Sequence, residues 1–156
     1  MYKTLIVFLV LGVFRCDRTE VIAEKGLAVE WRYVGTFSHL VDYKCFICDG
    51  YDFEKSKYVI NFLDANNYTA NINLLRGKGE YSVSFEDTGN ETISGTFENL
   101  NLQILNKPYE NQEDSKFQAM FSESTNFTLV QKSNNEIYDQ LTLGSNNSEY
   151  LLFVRK

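Results

Sequence analysis

From residue 28 onward, apolar and polar positions alternate in short runs broken by turn-forming residues. The alternation is strict in Tyr81-Ser82-Val83-Ser84-Phe85, which puts Tyr81, Val83 and Phe85 on one face of a strand. Val29 to Phe37 reads as the first strand, with Trp31 and Tyr33 on one face and Glu30, Arg32 and Val34 on the other. Tyr58–Leu63 and Tyr68–Leu75 form a hairpin around Asp64-Ala65-Asn66-Asn67, residues that accept backbone hydrogen bonds and tolerate left-handed geometry. A turn is predicted at Arg76-Gly77-Lys78-Gly79 and another at Asp87–Asn90. Further strands are predicted near Leu40–Ile47 and at Thr92–Phe97, Asn101–Leu105, Asn126–Lys132, Ile137–Leu143 and Tyr150–Arg155.

One segment has helical spacing. In Asn111–Glu123, Phe117, Met120 and Phe121 fall at i, i+3 and i+4. Asn111 or Asp114 can cap its start, and Glu113 and Asp114 suit the positive end of the helix. Seven to nine strands with one short helix predict an all-β domain, an antiparallel barrel of about eight strands, closed or nearly closed. A two-sheet roll is the alternative.

The first residues break this pattern. Lys3 precedes an apolar run from Leu5 to Phe14, which stops at Arg15-Cys16 and gives way to a polar stretch. About ten apolar residues are too few for a transmembrane helix, which needs roughly 20. A basic start and a short apolar run fit an export signal. The run also resembles a bacterial lipoprotein signal, in which the cysteine is acylated and becomes the first residue. That pattern has small residues before the cysteine, where this chain has Phe14 and Arg15. Ordinary cleavage and secretion is the other reading. The division that follows is a signal at residues 1–15, a flexible tether at 16–27 and a single barrel domain at 28–156. Cys16 is the expected lipidation site, and the membrane is the expected partner through that lipid.

Charge narrows the partners. The chain carries a formal charge of -6, and loss of the signal with Lys3 and Arg15 brings it to -8. An acidic surface with no basic run argues against nucleic acid, whose phosphates need Lys and Arg. Tyr and Phe supply 10 and 12 residues against a single Pro, which favours strands.

Catalytic chemistry is not visible in the sequence, and no cofactor or metal is expected. Cys45 and Cys48 form C-x-x-C, which outside the cytosol reads as a small structural disulfide. A zinc site would need His39 and Asp49 as well. His39 is the only histidine, and it has no spacing partner for a catalytic pair. Asp49, Asp52 and Glu54 do not have the spacing of a calcium-binding loop. Asn-x-Ser/Thr triplets start at Asn67, Asn90, Asn126 and Asn146, and would accept glycans in an exported eukaryotic protein. An aromatic-rich barrel raises the possibility of a small apolar ligand in its interior, lined by Trp31, Tyr33, Phe62 and Tyr81.

The order of these features resembles the META-like, HslJ-type β-domain of bacterial envelope proteins. The marks are Trp31 in the first strand, the YVINFLDANNYTANI hairpin and the Gly79-Glu80-Tyr81 step. The Phe117–Phe121 helix and the closing pair YDQLTLG and YLLFVRK complete them. The resemblance implies an exported domain, often a lipoprotein, usually without known enzymatic activity. The chain is also similar to a lipocalin-like small barrel, although Ala28-Val29-Glu30-Trp31 lacks the glycine of that family's opening step. The expected function is that of a membrane-tethered accessory domain contacting an envelope protein. The alternative is the binding of a small apolar ligand.

Overall fold

A computed structural model describes residues 26–38, 52–86, 92–106, 111–132, 138–145 and 149–155. Eight strands among these residues close an antiparallel barrel in sequence order. They are β1 (Glu30–Ser38), β2 (Tyr58–Phe62), β3 (Asn67–Ile72), β4 (Leu75–Glu86), β5 (Thr92–Ile104), β6 (Asn126–Val130), β7 (Asp139–Gly144) and β8 (Glu149–Arg155). One helix, α1 (Gln112–Ser122), lies between β5 and β6, and a 3-10 turn occupies Phe53–Lys55. The fold is therefore all-β with one short helix, and each strand pairs with two neighbours around the ring.

Alternation decides which side chains enter. Tyr58, Ile60 and Phe62 on β2 and Tyr68, Ala70 and Ile72 on β3 are buried, while Asn67, Thr69 and Asn71 between them are exposed. β1 follows the rule as far as Tyr33. A register shift against β8 between Tyr33 and Gly35 then turns the strand over. Thr36 reaches the Tyr33 hydroxyl inside, and Phe37 packs outside with Tyr150. Leu152, Val154 and Tyr138 join Phe37, Val34 and Tyr150 in a second, smaller apolar cluster on the outer side.

Two sequence expectations are corrected. The turn expected at Arg76–Gly79 lies instead at Asn73-Leu74, where Asn73 takes a positive φ of 55° and Ile72 pairs directly with Leu75. Gly77 and Gly79 sit within β4, on its inward face, and serve packing. The strands expected at Thr92–Phe97 and Asn101–Leu105 are one continuous β5. Val83 pairs with Phe97 and Ser82 with Asn99, so Glu98 is the extra residue of a bulge. The bulge flips the inward parity from Ile93, Gly95 and Phe97 to Leu100, Leu102 and Ile104.

The expected disulfide at Cys45 and Cys48 is not borne out: no disulfide bond is present among the described residues. Cys16, Cys45 and Cys48 all lie outside them, as do His39, Asp49 and the strand expected at Leu40–Ile47. Hydrogen bonding around the full ring of strands and a continuous apolar core hold the barrel.

Both mouths are closed by packing. At one end Leu27, counted above in the polar lead-in, is fully buried and its carbonyl accepts from Trp31 Nε1 at 3.0 Å. At the other end α1 turns Phe117 against the rings of Tyr33, Tyr58 and Phe153, and Phe121 against Tyr68. Asn111 caps the helix, accepting from the Asp114 backbone N–H at 2.8 Å. A three-turn helix is marginal alone. Burial of each ring contributes roughly 1.5–3 kcal/mol, so packing decides its position.

Candidate functional site

Trp31, Phe62 and Tyr81 are 0–2% exposed and fill the barrel interior. Phe62 and Tyr81 meet edge to face, with centroids 4.8 Å apart. Tyr81 donates to the Asp64 carbonyl and Tyr68 to the Asn101 carbonyl, so both hydroxyls find partners. Burial pushes both phenols above their usual range, and the nearby Asp64 adds to the effect at Tyr81. Tyr33 stands apart from the other three, half-buried beside α1. Thus three of the four residues suggested as a ligand lining are core packing residues here, and the fourth borders the helix.

Two surface hollows follow from the fold. The first, of about 390 Å³, lies where β2 begins and α1 starts, beside Tyr33, Tyr58 and Asn111. Most of its polar groups are already engaged. Asp52 pairs with Lys55 at 2.7 Å, and this contact holds the Asp52 carboxyl below the usual carboxylate range. Tyr58 donates to the fully buried Asp114 at 2.6 Å, and Asn73 approaches the other Asp114 oxygen at 3.5 Å. Burial, then the hydrogen bond to Asp114, push the Tyr58 phenol well above its ordinary value. These contacts lock the helix to the barrel.

The second hollow is a groove of about 560 Å³ on the outer face of β3, β4 and β5. Its position depends on Gly79. A side chain there would overlap the Asn101 carbonyl oxygen and the Tyr68 hydroxyl, which occupy the inner side of β4 at this step. Over the same step the outer side carries two cross-strand rows. Asn67 lies opposite Glu80, and Glu80 opposite Asn101. Thr69 lies opposite Lys78, and Lys78 opposite Gln103. All six residues are exposed. Asn67 is committed, since its side-chain amide donates to Asp64. Among the described residues, the side chains of Thr69, Lys78, Glu80, Asn101 and Gln103 make no hydrogen bond or ion pair, although Lys78 and Glu80 share a face two residues apart. Leu63, 55% exposed, forms the groove's apolar edge.

The described residues contain no group of three or more His, Cys, Asp or Glu side chains able to hold a metal. Asp52, considered above with Asp49 and Glu54, caps the 3-10 turn through the Glu54 backbone N–H. No described helix is long and apolar enough to cross a membrane.

Sequence reasoning did not bring the groove residues together. The alternation of Asn67/Thr69, Lys78/Glu80 and Asn101/Gln103 marks them as outward-facing. Only the register across three strands makes them neighbours.

No family model matches the chain, and no curated protein matches it. A solved structure, a DUF4847 family protein from Bacteroides vulgatus, is similar at 13% identity with a TM-score of 0.46, over 86% of this chain and 97% of that one.

Proposed function

We propose that this chain is a non-enzymatic interaction domain of the cell envelope, META-like in kind, tethered to the membrane by a lipid on Cys16. It works through its outer surface, and the groove over β3–β5 is the contact site. One observation carries the choice of surface. Trp31, Phe62, Tyr68 and Tyr81 fill the interior from the barrel wall, while Phe117 and Phe121 fill it from the helix. An apolar ligand inside would have to displace these rings from their packed positions. The outer groove has free hydrogen-bonding groups and needs no rearrangement.

The tether is supported by the apolar run ending at Cys16. Intact-mass measurement of the protein from host membranes is expected to show Cys16 as the first residue, carrying acyl chains. A soluble protein with an unmodified Cys16 would overturn the anchoring.

A further inference from the structure

We infer that the groove over β3, β4 and β5 binds a neutral oligosaccharide. The inference deepens the reading above and rests on the groove being the contact surface. It begins from the five unengaged side chains. Asn101 and Gln103 each offer a carboxamide with donors and an acceptor, Thr69 a hydroxyl, Glu80 two acceptors and Lys78 three donors. They stand on three adjacent strands spaced about 4.8 Å apart. The result is a patch of mixed donors and acceptors at the scale of a sugar ring. Vicinal hydroxyls both donate and accept, so they match such a mixture. The volume of about 560 Å³ is within the range of small-ligand sites.

Competing ligand classes fit less well. A phosphate, an anionic lipid headgroup or a nucleic acid calls for several cationic groups. The groove offers Lys78 against Glu80 and Asp64. An apolar molecule would find Leu63 at the edge and polar side chains along the floor. A peptide adding a strand docks along a sheet edge, whereas this groove is lined by side chains on the outer face of β3, β4 and β5. A neutral polyhydroxylated chain needs none of these features. Leu63 can face the apolar side of a ring while the two polar rows bond its hydroxyls.

The test is nuclear magnetic resonance titration of the isotope-labelled full-length protein with a panel of neutral hexasaccharides: cellohexaose, maltohexaose, laminarihexaose and chitohexaose. Polygalacturonate provides the charged comparison. At least one neutral sugar is expected to shift the amide signals of Thr69, Lys78, Glu80 and Gln103 at millimolar concentration. Signals from Leu141 and Phe153 should stay in place. The double variant Lys78→Ala/Gln103→Ala should keep the wild-type melting temperature and bind about tenfold or more weakly, the scale of one or two lost hydrogen bonds. Absence of shifts with all four neutral sugars overturns the assignment. So do shifts confined to another face, or binding of polygalacturonate alone. If the double variant loses its function in the host while no sugar binds, the ligand class fails and the groove remains the contact surface.

Discussion

The guanidinium of Arg155 stands over the indole of Trp31, 5.1 Å from the ring centroid. The same group pairs with Asp139 at 2.5 Å and donates to the Gly26 carbonyl at 2.8 Å. Asp139 in turn accepts from the Lys132 backbone N–H at 2.7 Å. One side chain thus joins the first strand, the last strand and the segment leading into the barrel. Arg155→Ala should destabilise the protein by about 2–4 kcal/mol, because it strands a largely buried carboxylate as well as removing packing. Adding Asp139→Asn should recover part of the loss, since a neutral amide leaves no unpaired charge. Urea unfolding of the two variants measures the difference. Equal stability of the single and double variants would contradict it.

Two glycines on one strand should respond differently to the same methyl group. At Gly79 it meets the Asn101 backbone oxygen, which cannot move without breaking the Tyr68 hydrogen bond. At Gly77 the closest atom is Leu102 Cδ1, 2.8 Å away at the end of a flexible side chain. Gly79→Ala is expected to cost about 3 kcal/mol or more and Gly77→Ala about 1 kcal/mol. Thermal unfolding of both variants checks the order.

Tyr58, Tyr68 and Tyr81 all have phenols raised above their ordinary value, chiefly by burial. Their folded values exceed the unfolded value near 10. The stability they contribute is therefore complete below about pH 10, and is lost as pH rises from there toward the folded values. The phenolate absorbance of these three should appear only as the barrel unfolds. A single smooth titration with retained near-ultraviolet dichroism would contradict this.

The sequence places much of the framework but not the groove. The helix predicted at Asn111–Glu123 is found at Gln112–Ser122 with Asn111 as its cap, because the spacing of Phe117 and Phe121 and a capping side chain are local signals. The β2–β3 hairpin is likewise local, although Asp64, not the asparagines, accepts the backbone N–H groups of Asn66 and Asn67. β4 and β5 are harder to read. Gly77 and Gly79 look like a turn because glycine favours turns. Their real cause is Leu102 and Tyr68, which come from other strands. The bulge at Glu98 splits one strand into two in the periodicity. With the turn misplaced, the register joining Thr69, Lys78 and Gln103 is out of reach from sequence alone.

The helix should behave as packing dictates. Phe117→Ala removes a ring that touches Tyr33, Tyr58 and Phe153, and should cost about 3–5 kcal/mol. Lys116→Ala breaks an exposed contact to Glu149 at 3.5 Å and should change stability by less than about 1 kcal/mol. Tyr58→Phe leaves Asp114 buried with one hydrogen bond fewer, at about 1–3 kcal/mol. Chemical denaturation of the three variants ranks them.

The seam between β1 and β8 has a consequence for the order of events during biosynthesis. β1 is among the first strands to be translated, and its partner along Arg32–Ser38 is made only with residues 149–155. Until then β1 and β7 both present unpaired edges, and the Arg155 clasp on Gly26 and Trp31 does not exist. An arrested or truncated chain therefore carries two sticky edges, the usual starting point for aggregation. The ring must also join residues more than a hundred positions apart, a slow kind of closure. The domain can thus complete its fold only once Arg155 has been made, and until then the growing chain stays open along the β1–β8 seam.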